Sequence, residues 1–234
     1  MNDISLNSFT NWTPIGNYSG SSSLRIFRGT FIGNGKVVQN LTITGTEDYR
    51  GLFGVIDDAS IHELGLENCN VSGGNYVGSL VGKTTNYSSV QRCYATGNVI
   101  ATGCKVGGLV GSLDILASIK WCVAANNMVS TASTYTTGCI NRVVGYYNVS
   151  NTVIGYNYAL NTMVVQNSNG TVNIEDALHD AAGMGKPISD LQSSSFYATA
   201  ANWGGLFHGV LAIQTEYGKF AMAKICFLFC DGKT

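Results

Sequence analysis

A glycine-rich segment of five residues recurs along this chain of 234 residues, and it constrains the fold more than any other feature. The segment Arg50-Gly-Leu-Phe-Gly54 returns as Gly78-Ser-Leu-Val-Gly82, as Gly107-Gly-Leu-Val-Gly111 and, less closely, as Asn141-Arg-Val-Val-Gly145. The final glycines are 28, 29 and 34 residues apart. Such a period is typical of solenoids, in which each repeat buries its apolar side only by stacking on its neighbours.

Two further patterns lie between successive glycine segments. In one, an aliphatic residue is followed at +3 and +5 by small or apolar residues; in the other, a polar or Met residue precedes a valine. The first has the rows Val38/Leu41/Ile43, Ile61/Leu64/Leu66, Val90/Cys93/Ala95, Ile119/Cys122/Ala124 and Ile154/Asn157/Ala159, and the second has Asn70-Val71, Asn98-Val99 and Met128-Val129. Three short strands per period predict one triangular β-helix coil rather than hairpins.

We therefore predict an all-β, right-handed parallel β-helix of about five coils. Residues 1–30 form an N-terminal cap and leading segment, residues 31–166 form the repeats, and residues 167–234 form a closing segment and cap. The final glycine of each segment is expected at a corner, where a side chain would collide with the next coil or the backbone needs positive φ. Which of the two apolar residues before it points inward stays open.

Composition narrows the function. Charged residues make up 12% of the chain, the net charge is -1, and the 13 Lys and Arg residues are scattered, so nucleic acid is not an expected partner. The start of the chain shows no signal peptide, and the apolar stretch 220–229 is too short to span a bilayer.

The repeats resemble the GLUG-motif family of bacterial cell-surface and secreted proteins, named for a Gly-Leu-x-Gly core. The stretches Trp12-Thr-Pro-Ile-Gly16 and 27–36 resemble the segment that leads into such arrays, and Leu191–Tyr197 with Asn202-Trp203 resembles the segment that closes them. The resemblance implies an extracellular or surface location and an adhesive or architectural role. In related proteins the repeats accompany separate catalytic domains, including metallopeptidases that cleave immunoglobulin A. Arg142 departs from the pattern, because a small residue is expected there, and residues 206–234 match poorly.

Two carboxylates are candidate catalytic groups, because polysaccharide lyases and glycosidases also have parallel β-helix folds. Asp57 and Asp114 each lie three residues after a repeat glycine, with Thr85 between them in the column. Two coil spacings place them about 9.6 Å apart, at the upper limit for an inverting pair. Because no Arg, Lys or His shares their column, we interpret them as turn residues and predict no catalytic residues.

Other chemical signatures are incomplete. His62-Glu63 lacks the second histidine of a zinc motif, since Leu66 stands there, and His179 and His208 lie far away in sequence. Gly82-Lys83-Thr84 lacks the first glycine of a phosphate-binding loop, and Cys226 and Cys230 lack a partner pair. We predict no metal or cofactor residues. Of the tryptophans, Trp12 and Trp203 are expected in the caps, and Trp121 is expected to point outward from a coil.

The seven cysteines include two pairs placed on adjacent coils. Cys93 and Cys122 share one column, and Cys104 and Cys139 each follow a Thr-Gly pair. Parallel side chains in register are poorly angled for a disulfide, so buried free thiols are expected in both pairs.

The expected function is that of a non-catalytic, monomeric adhesion or binding module for host or cell-surface glycans or proteins. A carbohydrate-active β-helix enzyme and a structural stalk are the alternatives. A short helix is expected within residues 187–192, with Ser189 or Asp190 as its N-cap. If the caps protect the open ends of the solenoid, deletion of residues 186–234 should produce aggregates or fibres.

Overall fold

The computed structural model describes residues 2–16 and 25–198, which form a β-solenoid of about five coils. Face 1 of the solenoid is a parallel sheet of the glycine-segment strands, so the predicted stacking is confirmed. Its strand order is sequential, and its register aligns Phe53, Val81, Val110 and Val144, which places the four repeat glycines in one column. The strands are β4 (Phe53–Asp57), β6 (Val81–Thr85), β10 (Val110–Leu113) and β14 (Val144–Tyr147).

The other two faces are also parallel ladders, with strands that often continue from one face to the next. Face 2 aligns Ile61, Val90, Ile119 and Ile154, and its strands are the start of β2 (Thr30–Gln39), the start of β5 (Ser60–Gly73), β7 (Ser89–Gln91), β11 (Ser118–Lys120) and β15 (Val153–Gly155). Face 3 contains the rest of β2 and β5, with β3 (Thr42–Ile43), β8 (Tyr94–Ala101), β12 (Val123–Thr131), β16 (Tyr158–Leu160) and β17 (Val164–Asn167). Two short strands, β9 (Val106–Gly107) and β13 (Ile140–Asn141), pair beside face 1.

The predicted core rows are confirmed except for the first. Val38 pairs with Leu66 rather than with Ile61, and Phe31 takes the place opposite Ile61. The register shifts between Ile32 and Lys36, where Asn34 and Gly35 have left-handed backbone and interrupt the pairing within β2. Val38 therefore lies five residues further along the coil than its spacing suggested, opposite Leu66 instead of Ile61.

The repeat glycines lie within the strands of face 1 rather than at corners, and their φ angles are not left-handed. Glycine is needed at these positions because the backbones of neighbouring coils approach closely. A Cβ on Gly82 would lie 2.7 Å from the carbonyl oxygen of Gly54, and a Cβ on Gly111 would lie 2.5 Å from the carbonyl oxygen of Gly82. Both apolar residues before the glycine are buried, as Leu80 and Val81 illustrate.

The N-terminal residues extend the ladders. Strand β1 (Ile4–Ser5) pairs in parallel with Val38 and Gln39, Ile15 forms a bridge to Phe53, and Phe27 forms one to Ile56. Because these contacts lie on faces 1 and 3, the described part of residues 2–30 continues the solenoid as an irregular first coil.

At the other end, β18 (Gly170–Thr171) turns back antiparallel to β17, and β19 (Met184–Lys186) adds to β16. The predicted helix is confirmed as α1 (Ile188–Leu191), but Pro187 occupies its N-cap and no side chain caps it, so the assignment to Ser189 or Asp190 is wrong. Leu191 is buried, as is Tyr197 of α2 (Ser194–Ala198).

Arg142 explains why the last glycine segment departs from the pattern. Its guanidinium is buried, pairs with Asp176 at 2.7 Å and donates to the carbonyl oxygens of Ala182 and Gly183. No further glycine segment stacks on this coil within the described residues; the irregular chain 175–183 lies there instead. Arg142 therefore stands in place of a small residue because its long side chain binds the irregular chain 175–183.

Candidate functional site

The two tested carboxylates lie in one column, and each contacts a cation. Asp57 pairs with Arg28 at 2.8 Å and accepts hydrogen bonds from Thr85 and Asn86 at 2.9 and 2.6 Å. Burial raises the pKa of Asp57, but the hydrogen bonds from Asn86, Thr85 and Arg28 and the charge of Arg28 outweigh it and lower the pKa overall. Asp57 is thus held as a carboxylate.

Asp114 is compensated in a different way. Lys83 approaches it at 3.0 Å, Ser112 donates to it at 2.8 Å, and its own backbone N–H donates to Thr84 Oγ1. Burial disfavours the charge of Lys83, yet the bond to Asp114 outweighs burial and raises the pKa of Lys83. The expectation that no Arg, Lys or His shares the column is wrong, because Phe27 pairs with Ile56 and Arg28 therefore lies opposite Asp57. Lys83 reaches Asp114 from outside the column, since it pairs with Ser112.

The main surface feature lies at the corner before face 1 and on two of the face-1 strands, and it is here called the tyrosine–lysine ladder. Tyr49, Tyr76 and Lys105 lie at the corner, and Lys83 and Tyr146 lie on β6 and β14. The rings of Tyr49 and Tyr76 stack 4.8 Å apart at an angle of 19°. The Lys105 ammonium lies 4.5 Å from the ring centre of Tyr76 and 4.6 Å from that of Tyr146, and it donates to the Tyr76 hydroxyl at 3.1 Å. All five residues are half-buried.

The ladder follows from the backbone at that corner. Tyr49, Tyr76 and Lys105 have φ values of 61°, 60° and 66°, and each lies directly before a residue of one bridged column. Left-handed backbone is costly for bulky side chains, and stacking of about 0.5–1.5 kcal/mol per aromatic pair offsets part of that cost. The spacings of 27 and 29 residues between these three positions match the repeat period, so the sequence carries a signal for this ladder.

A second ladder follows the corner between faces 2 and 3, through Glu63, Arg92, Trp121 and Tyr156, with φ of 60°, 50°, 54° and 56°. Trp121 and Tyr156 stack 6.2 Å apart at 14°, and His179 meets the Tyr156 ring edge-on. Trp121 is half-buried and packs partly on the core, so it is less outward than expected. Rings in both ladders stack along the solenoid axis, which leaves their edges toward the surface.

The remaining candidate residues that the structure describes do not assemble into a reactive site. His62 lies 3.6 Å from Glu63, His179 belongs to the second ladder, and Trp12 packs partly on the core. Among residues 2–16 and 25–198, no three His, Cys, Asp or Glu side chains are grouped as metal ligands. Residues His208, Trp203, Cys226 and Cys230 lie outside the described residues.

The cysteine pairs differ from each other. Cys93 and Cys122 are buried free thiols in one column, as predicted. Cys69 is also a buried free thiol. Cys104 and Cys139 are adjacent as expected but form a disulfide, with Cα atoms 4.4 Å apart, so the prediction of free thiols is wrong for this pair. Both residues lie in irregular turns, where side chains need not point in parallel as they do in register strands.

Within the part of the chain that the structure describes, no helix is long and apolar enough to cross a membrane.

Comparison with known proteins agrees with this architecture. Residues 73–100, which form one complete coil, match the family described as the GLUG motif. The crystal structure of a candidate immunoglobulin A1 protease from Bacteroides ovatus has a TM-score of 0.53 and 17% identity, and the alignment covers 84% of this chain and 78% of that chain. At this identity the likeness shows the fold alone. No curated protein is significantly similar in sequence. The chain is therefore a β-solenoid that carries a GLUG motif in residues 73–100.

Proposed function

We propose that the protein is a non-catalytic binding module of a bacterial surface, and that its tyrosine–lysine ladder contacts a surface glycan. The observation that carries the proposal is the ladder itself, since it places hydroxyl and ammonium groups on successive coils. A rigid row of such groups suits an extended ligand, because many weak hydrogen bonds then form without an ordering cost in the protein.

The state of the acidic column supports a binding role over catalysis. A glycosidase needs one carboxyl group with a raised pKa as its general acid. Asp57 has a lowered pKa, and Asp114 is paired with Lys83. Each carboxylate is therefore engaged in holding neighbouring coils together.

The geometry of the ladder also suggests how a glycan would bind. Tyr76 has Tyr49 stacked on its ring and Lys105 against the same ring, so little of the ring remains for a sugar to stack on. Hydrogen bonds from the exposed edges are the remaining mode, and sugar hydroxyls are suited to it.

A surface location is proposed on two grounds. The protein has a disulfide between Cys104 and Cys139. Disulfides persist in oxidising compartments and are rare in the cytosol. The GLUG motif of residues 73–100 occurs in surface and secreted proteins, as the sequence resemblance implied.

The test compares glycan-array binding of the wild type with that of Tyr76→Ala, with Tyr87→Ala as the matched control. Tyr87 is 69% exposed but outside the ladder. We expect Tyr76→Ala to lower affinity roughly 10-fold or more, as at a binding hot spot, and Tyr87→Ala to have no effect. Melting temperatures of both variants show whether the fold is retained.

Asp57→Asn with Asp114→Asn separates binding from catalysis. The proposal expects binding to persist in this variant. Turnover of a polysaccharide by the wild type that disappears in the variant would establish a carbohydrate-active enzyme instead, and a wild type that binds no glycan or surface protein would indicate a structural stalk.

A further inference from the structure

Lys105 carries a positive charge that the described protein does not neutralise. The Lys83 ammonium lies 5.3 Å from the centre of the same Tyr76 ring, but Asp114 pairs with it at 3.0 Å. None of the ion pairs among the described residues includes Lys105. Two ammonium groups and one carboxylate leave this part of the ladder with one excess positive charge.

Lys105 and the Tyr76 hydroxyl have hydrogen-bond donors for which the described protein supplies no acceptor. An ammonium carries three N–H bonds, and Lys105 uses one of them toward the Tyr76 hydroxyl. That hydroxyl accepts the bond and so keeps its own proton for another partner. Two tyrosine rings attract the ammonium through their π faces but supply no anion. An anionic acceptor would complete the set.

The backbone beneath Lys105 is held in place before any ligand arrives. Cys104, its direct neighbour, is cross-linked to Cys139, and the backbone N–H of Cys104 donates to the side chain of Asn75. Gly138, beside Cys139, lies against the Tyr146 ring, where an added Cβ would come within 3.3 Å. The groups around the ammonium therefore need little ordering on binding.

We propose that Lys105, with the hydroxyls of Tyr76 and Tyr146, binds one anionic group of an acidic polysaccharide. The inference rests on the proposed glycan-binding function and assigns the charge of its ligand. The group is a carboxylate or a sulfate, since both present several acceptor oxygens to N–H and O–H donors. One uncompensated cation suits a single such group per ladder, whereas nucleic acid would require a series of cations.

The experiment measures binding of the full chain to polygalacturonate, dextran sulfate and neutral dextran by isothermal titration calorimetry, at low and at physiological salt. Lys105→Gln should lower affinity for a charged polymer roughly 10-fold, the value of one charge-assisted hydrogen bond, and should weaken the salt dependence. The polymer that responds distinguishes a carboxylate site from a sulfate site. Lys105→Arg should restore most of the binding because it retains the charge.

Lys120→Gln is the matched control. Its ammonium also lies over an aromatic ring, 5.8 Å from Trp121, but in the second ladder, so binding should not change. Tyr146→Phe keeps the ring beside Lys105 and removes only the hydroxyl; a weaker affinity with an unchanged melting temperature supports the site even if Lys105→Gln is destabilised.

The outcomes separate this inference from the function beneath it. Wild-type binding that Lys105→Gln and Lys120→Gln leave equally intact overturns the assignment to Lys105 but leaves the binding module standing. Equal affinity for neutral dextran and both charged polymers overturns the anionic ligand. A wild type that binds no glycan at all overturns the proposed function, and this inference with it.

Discussion

Each of the two cysteine pairs joins adjacent coils, but the pairs differ in their place on the coil and in their chemistry. Cys93 and Cys122 lie directly before strands β8 and β12, between residue pairs that are in register, and stay free, whereas Cys104 and Cys139 lie in turns and are joined. Strands in register hold equivalent side chains parallel, which is a poor geometry for the disulfide torsion. The irregular corner releases the side chains from that constraint. The position on the coil, rather than the spacing in sequence, decides what a cysteine does.

The free column has its own structural role. The Cys93 thiol lies 3.3 Å from the carbonyl oxygen of Gln91 and 3.8 Å from that of Ile61 on the previous coil. Asn157 follows Cys93 and Cys122 in this column, and its side-chain N–H donates to the carbonyl oxygen of Ile119 at 3.1 Å. Its side-chain oxygen accepts a hydrogen bond from the backbone N–H of Cys122 at 3.0 Å. The column therefore supplies donors to buried carbonyl oxygens between coils.

The largest expected effect comes from removing the disulfide. In Cys104→Ser with Cys139→Ser, the unfolded chain regains the freedom of a 35-residue loop, which lowers the free energy of unfolding by about 3–4 kcal/mol. Urea denaturation at fixed protein concentration measures the change. A stability equal to that of the wild type would show that the disulfide pair contributes no more to stability than the free pair Cys93 and Cys122.

A smaller effect is expected at the end of the free column. Asn157→Leu leaves a buried N–H and a buried carbonyl oxygen without their partner, and we expect a loss of about 2–3 kcal/mol in the same denaturation assay. Asn157→Cys is the matched control because it restores the residue type of the two preceding coils, and it should cost about 1 kcal/mol. Equal losses in the two variants would contradict the donor role.

The smallest effect concerns reactivity rather than folding. Burial raises the pKa of Cys69 from 9.0 to about 12 and raises that of Cys122 well above 9.0. Since the thiolate is the reactive form, both should resist iodoacetamide in the native protein up to about pH 9. Above that pH the unfolded thiols lose protons that the folded ones keep, so the free energy of unfolding should fall as pH rises.

Mass mapping after alkylation measures this resistance. Denatured, unreduced protein should instead label Cys69, Cys93 and Cys122 and leave Cys104 and Cys139 unlabelled. Rapid native labelling of Cys93 or Cys122 would show that these thiols are accessible to the reagent, and labelling of Cys104 would show that the disulfide is absent.

The sequence by itself determined the period, the parallel stacking and most core columns. Repeated positions become neighbours at the spacing of hydrogen-bonded strands, so a column such as Gly54, Gly82 and Gly111 can be read directly from the spacing. The sequence left two reasons for these glycines open, and the structure shows that the reason is close backbone approach rather than positive φ.

Only the tertiary structure decided what happens where the coils are irregular. The shifted register before Lys36, the disulfide at Cys104 and the reach of Arg142 toward Asp176 all depend on turns whose lengths differ between coils. The charge state of Asp57 depends on its ion pair with Arg28 of the first coil, and only the structure showed this ion pair. Period predicts which residues share a column, but side-chain partners across columns are set by packing in three dimensions, and packing is not periodic at turns.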